Sequence, residues 1–127
     1  MNPRLVAYFV EYTDAHRHPT NRLTHKIAIP MIVFHVLAML DWIRVVHWGG
    51  YWLSVGHLAA VAGLAWYATL SRGLAAWMAV AFAICFALAA VTPPVVVVGV
   101  AIVGWIVQLA GHVVWEKRSP AFLRNAL

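Results

Sequence analysis

Charge is what this sequence has least of. Only 10% of its 127 residues are charged, while 64% are hydrophobic, and the mean hydropathy is +0.81. Soluble domains carry about 25% charged and about 45–50% apolar residues. This chain therefore cannot cover itself with polar surface, and water is not its only solvent. Cysteine is nearly missing: Cys85 stands alone inside an apolar run, which excludes a disulfide framework and reads as a small buried hydrophobe. The first residues lack the short apolar core and small-residue cleavage site of a secretory signal. No internal repeat occurs, and the valine run at 95–98 is the only low-complexity stretch. The length suits one domain. A net charge of +5 often suggests nucleic acid, but here the basic residues flank apolar runs. Lipid headgroups and membrane topology explain them better, so no nucleic-acid partner is expected.

What is present is long apolar runs of helical character. The sequence predicts an all-α fold, a membrane four-helix bundle with a short N-terminal amphipathic helix, in one integral membrane domain covering 1–127. The amphipathic helix covers residues 2–16, with Leu5, Tyr8, Phe9 and Tyr12 at spacings of three and four and Asn2-Pro3 as its start. Spans are expected at 24–43, 51–70, 74–91 and 95–115, each close to the about 20 residues that crossing requires. Gly49-Gly50, Ser71-Arg72-Gly73 and Thr92-Pro93-Pro94 mark the links between them. Tryptophans and tyrosines gather near the span ends, as an interfacial belt does. Arg4, Arg17, Arg22, Lys26, Arg72, Lys117, Arg118 and Arg124 fall on one side and Arg44 on the other, which places both termini in the cytoplasm.

The densest polar stretch is His16-Arg17-His18-Pro19-Thr20-Asn21-Arg22-Leu23-Thr24-His25, directly before the first span. Pro19 argues against an unbroken helix here, and Thr20 or Asn21 is positioned to cap the helix that follows. Its counterpart is Gln108-Leu109-Ala110-Gly111-His112-Val113-Val114-Trp115-Glu116, at the finish of the last span. With four spans, both stretches reach the same membrane face. Asn21 and His25 share a helix face, as do Gln108, His112 and Glu116, and Gly111 removes a side chain so that another helix can come close. Imidazoles with one carboxylate suit Fe, Zn, Mn or Ni. His25, His112 and Glu116, joined by His16, are the candidate ligands. Spacing alone leaves bland readings open. His16 and His25 fit interfacial residues near lipid phosphates, Glu116 a solvated helix-end charge, Gln108 an interhelical hydrogen bond and Asn21 a cap. Asp41 and Arg44 are expected to pair locally, and His18, His35, His47 and His57 stay outside the cluster.

The pattern His16-x-x-Pro19-x-Asn21-x-x-x-His25, followed by Ile29-Pro30, resembles the N-terminal signature of a family of membrane dioxygenases. These act on 2-hydroxy fatty acids in the phytosphingosine-to-odd-numbered-fatty-acid pathway. Gln108-x-x-Gly111-His112-x-x-x-Glu116-Lys117-x-x-Pro120-Ala121 resembles that family's second signature. Where the family pattern continues past Pro-Ala with another apolar segment, this sequence has Phe122, Leu123 and Ala126. The resemblance implies an Fe(II)-dependent oxygenase without haem, shortening a 2-hydroxy long-chain fatty acid by one carbon with dioxygen as partner. It implies metal and catalytic roles for His16, His25, His112 and Glu116, and supporting or substrate roles for Asn21, Gln108 and Arg22. The expected location is a multi-pass integral membrane protein among membrane lipids, in the inner membrane of a bacterium or the endoplasmic reticulum of a eukaryote. Met31, Phe34, Trp105 and Val107 are expected along the path of the fatty tail, and Arg17, Arg22 and Lys26 near its carboxylate. Zinc in place of iron, haem between opposed histidines, and a non-catalytic scaffold that binds lipid or a partner are the competing readings.

Overall fold

The structure is a computed structural model that describes residues 1–117. Arg118, Pro120, Ala121 and Arg124, which entered the charge count and the second signature, lie outside the described residues. Helix α1 (Pro3–Ala15) starts at Asn2, whose side chain accepts from the Arg4 N–H at 2.9 Å. Helix α2 (Pro19–Asp41) is the central element, followed by strands β1 (Arg44–Trp48) and β2 (Tyr51–Ser54). Helices α3 (Val55–Leu70), α4 (Arg72–Val91) and α5 (Pro94–Ala110) complete the bundle, and a π-helical segment at Gly111–Glu116 extends α5. Ser71 ends α3 and caps α4, accepting from the Leu74 N–H.

Two expectations change. The second apolar run was expected to be helical from residue 51, but Tyr51–Ser54 is strand and the helix begins at Val55. The strand pairs antiparallel with β1 through a two-residue turn, Gly49 and Gly50, both at positive φ. That is the backbone such tight hairpins need, and glycine adopts it without strain. The remaining 16-residue α3 is about 24 Å long at about 1.5 Å per residue. Among the described residues, three helical stretches are long and apolar enough to cross a membrane: Pro19–Asp41, Arg72–Val91 and Pro94–Glu116. The second change concerns Asp41. It accepts from Ser54 Oγ at 2.6 Å and lies 3.4 Å from His57 Nδ1, while the Arg44 guanidinium sits over the Trp52 ring.

Helix α2 packs against α5, α3 and α4. The buried apolar positions are mostly small: Ala28 and Ala38 on α2, Ala60 on α3, and Val97 and Ala101 on α5, with Leu37 and Leu70 beside them. Small residues let helix backbones approach where lipid, not water, is the competing solvent. Helix α4 buries none of its residues and is apolar all round, a surface suited to lipid. Helix α1 crosses one end of the bundle. Asn2 donates to the Thr69 carbonyl and the Tyr8 ring meets Trp66, both at the last turn of α3. The start of α2 and the end of the π segment share that end of the bundle, and the hairpin occupies the other.

Candidate metal centre

Proline sets up the first half of the site. Pro19 occupies the first helical position of α2, where its missing N–H costs nothing. His18, not Thr20 or Asn21, is the cap: its Nδ1 accepts from the Thr20 N–H at 3.2 Å. Asn21 and His25 therefore fall inside the first turns of α2, both buried. His16 lies in the short link between α1 and α2. Arg22 holds that link, its Nε donating to the His16 carbonyl at 2.7 Å.

A close helix approach makes the second half. A Cβ built on Gly111 would land on Asn21 Oδ1 and Thr24 Oγ1. Only glycine lets the end of α5 lie this near the start of α2. The π segment opens there, and a bond from the Lys117 N–H to the His112 carbonyl closes its wider turn, with Lys117 at φ 52 ending the helix. Such π turns are rare and recur at functional sites because they re-aim side chains.

The result is that His16, His25 and His112 come together. One ring nitrogen from each lies within 4.8 Å of the others. The ring centroids are 4.2 Å (His16–His25), 4.8 Å (His25–His112) and 5.1 Å (His16–His112) apart. All three residues are at most 7% exposed. His16 Nδ1 meets the Tyr12 carbonyl at 2.7 Å and His25 Nδ1 the Asn21 carbonyl at 3.0 Å. A carbonyl only accepts, so both Nδ1 atoms carry the proton, and in the neutral rings both Nε2 atoms present a lone pair. Anchoring the outer ring nitrogen in this way is the usual arrangement of metal-bound histidine. His16 Nε2 is buried and has no hydrogen-bond partner, and neither has Gln108 Oε1. Leaving a buried acceptor unpaired costs about 1–3 kcal/mol, and a cation removes that cost. The donor set of neutral imidazoles fits Fe or Zn.

Glu116 is placed outside this group. Its Oε1 accepts from the His18 N–H at 2.7 Å and from Asn21 Nδ2 at 3.2 Å, so it ties the end of the π segment to the start of α2. Gln108 is buried with its Nε2 2.8 Å from His25 Nε2, and His112 Nε2 is 3.1 Å from the same atom. Arg17 is engaged by Asp14, whose hydrogen bond and charge raise the guanidinium pKa above its ordinary value.

The remaining histidines go elsewhere. His35 bonds the Met31 carbonyl of its own helix and meets the edge of Trp105. His47 packs on Trp52. His57 belongs to a second polar cluster at the hairpin end. Its Nδ1 lies 2.7 Å from Ser54 Oγ, its N–H donates back to that oxygen, and its ring stacks on Phe86. A cavity of about 390 Å³ opens between α2 and α4, lined by Ile29, Pro30, Phe34, Met78, Cys85 and Leu88 among others. Phe34 lines it, whereas Met31 packs against α5 at Gly104. Tyr12 was not foreseen: it supplies the carbonyl that anchors His16 and stacks on that ring at 4.1 Å. Its position four residues before His16 was the available signal.

A family model described as Mpo1-like, 2-hydroxy-palmitic acid dioxygenase Mpo1-like, matches residues 3–127. No curated protein and no solved structure matches the chain.

Proposed function

Because the chain belongs to the Mpo1-like family, we propose that it is a single-domain integral membrane dioxygenase whose non-haem Fe(II) is held by His16, His25 and His112. The carrying observation is the convergence of three buried imidazole nitrogens within 4.8 Å, two of them anchored through Nδ1 on backbone carbonyls. The substrate is a 2-hydroxy long-chain fatty acid, as the family description suggests. With one dioxygen the balanced outcome is a fatty acid one carbon shorter, carbon dioxide and water. Iron bound here supplies the redox chemistry that dioxygen needs and a positive charge for the substrate's carboxylate and hydroxyl oxygens.

The protein's own groups do the rest. The Tyr12 and Asn21 carbonyls keep His16 and His25 in the tautomer that offers Nε2 inward. Glu116 positions both halves of the site by joining His18 and Asn21, and Arg22 fixes the link that carries His16. Burial of all three imidazoles keeps bulk water from the reacting atoms. The alkyl tail takes the apolar groove between α2 and α4, which begins at Ile29, one turn beyond His25. Arg4, Arg17, Arg22, Lys26 and Arg72 stand at the histidine end and Arg44 at the hairpin end. That bias supports a reading with the metal site at the cytoplasmic face and both termini inside.

Haem between opposed histidines fits poorly, because rings 4.2–5.1 Å apart leave no width for a macrocycle. Oxygen uptake by detergent-purified protein given 2-hydroxypalmitic acid tests the reading. Uptake with release of carbon dioxide is expected from iron-loaded protein and not from zinc-loaded protein. Stoichiometric iron without uptake would overturn the enzyme reading, and no metal at all would favour a scaffold.

A further inference from the structure

Among the described residues, two buried side-chain polar atoms lack a hydrogen-bond partner: His16 Nε2 and Gln108 Oε1. Both belong to one site. Gln108 is 6% exposed, and its amide nitrogen is 2.8 Å from His25 Nε2. It lies four residues before His112, so both side chains leave α5 and its π extension on the same face. Each orphan atom is an electron-pair donor, and no protein donor reaches either one. A cation held among the three imidazoles would take up the His16 lone pair, and the Gln108 oxygen reaches the same place after a half-turn of its amide.

We propose that Gln108 is a fourth protein ligand of the metal, coordinating through its side-chain oxygen and turning a three-histidine site into one with three imidazoles and one neutral carbonyl. The inference rests on the metal-centre reading above and extends it to a residue whose amide otherwise reads as an ordinary interhelical hydrogen-bonding group. The side-chain amide exchanges its oxygen and nitrogen by a half-turn about its last bond. In one orientation the amide N–H donates to the His25 lone pair. In the other the oxygen takes the nitrogen's place beside His25 Nε2, where two lone pairs repel unless a cation lies between them. Metal binding therefore selects the second orientation. A neutral oxygen ligand adds no charge to the centre, so an anionic substrate still meets a net positive site.

The test uses Co(II), whose visible bands report ligand number and type, in detergent-purified full-length protein. Gln108→Leu keeps the length and removes the donor. Gln108→Glu keeps an oxygen and adds charge. The expected result for Gln108→Leu is Co(II) and Fe(II) affinity about 10–100-fold weaker, the loss typical of disturbing a metal's immediate surroundings, together with shifted Co(II) bands. Gln108→Glu is expected to bind at least as tightly as the parent protein, also with shifted bands. Its melting temperature should rise more on adding metal, because metal relieves a buried carboxylate. Unchanged Co(II) bands and affinity in Gln108→Leu would overturn the proposal. If that variant fails to fold, unchanged bands in Gln108→Glu would overturn it instead. Failure of the parent protein to take up any metal would overturn the metal centre itself, and shows before a variant is made.

Discussion

At the hairpin end of the bundle Asp41, Ser54 and His57 close upon one another; at the opposite end His16, His25 and His112 converge, and the buried His16 Nε2 and Gln108 Oε1 are left without a partner. Ser54 Oγ is held by Asp41 and by the His57 backbone, and the Ser54 N–H occupies His57 Nδ1. Every polar group named there has a protein partner, and the cluster's work is local: it caps α3 and ties the hairpin to the end of α2. At the other end the outer nitrogens of His16 and His25 are anchored and the inner atoms converge, with His16 Nε2 and Gln108 Oε1 unpaired. Histidine beside polar partners occurs at both ends, so residue type does not separate a site from a cap. Where the lone pairs end does.

Substitutions at the two ends should therefore have unlike consequences. The largest effect is expected from His25→Ala and His112→Ala: iron binding weakened by more than about 100-fold and oxygen uptake lost, measured by metal analysis and an oxygen electrode. His57→Ala should leave iron content at the level of the parent protein, and iron lost equally from all three variants would erase the contrast. Next is Gly111→Ala. Its Cβ collides with Asn21 and Thr24, and overpacking of this kind costs about 1–3 kcal/mol. Thermal unfolding in detergent should show the destabilisation, and iron content should fall with it.

Glu116 sharpens the comparison. Glu116→Ala strips an acceptor from the His18 N–H and the Asn21 amide, at a cost of about 1–2 kcal/mol. Glu116→Gln retains an acceptor oxygen and should retain iron. Loss of iron in Glu116→Gln would make the carboxylate a ligand. The smallest effect belongs to Ser54→Ala, which removes the α3 cap for about 1 kcal/mol and leaves iron content unchanged.

Much of this arrangement is legible in the residues, because periodicity and charge survive translation into space. The helical segments follow apolar runs, and the polar stretches at 16–25 and 108–116 meet because an even number of apolar helices returns the chain to the end where it began. What escaped has physical reasons. Tyr51, Trp52 and Leu53 count as hydrophobic in a span or in a strand, and only the Gly49-Gly50 turn between β-prone residues separates the two. Asp41 bonds Ser54 and His57 instead of Arg44, because the hairpin folds those residues back onto the end of α2. The cap fell to His18 and not to Thr20 or Asn21, since Pro19 already fixes the first helical position. Equal spacing of Gln108, His112 and Glu116 suggests one continuous stripe. The π turn after Ala110 breaks that equivalence, and Glu116 goes to His18 and Asn21 while Gln108 and His112 go to His25.

Metal content read side by side in the parent protein, His112→Ala and His57→Ala tests the central claim most directly. The account predicts one iron per chain in the parent protein and in His57→Ala, and none in His112→Ala. Iron at trace level in the parent protein, or equal amounts in all three, would contradict it.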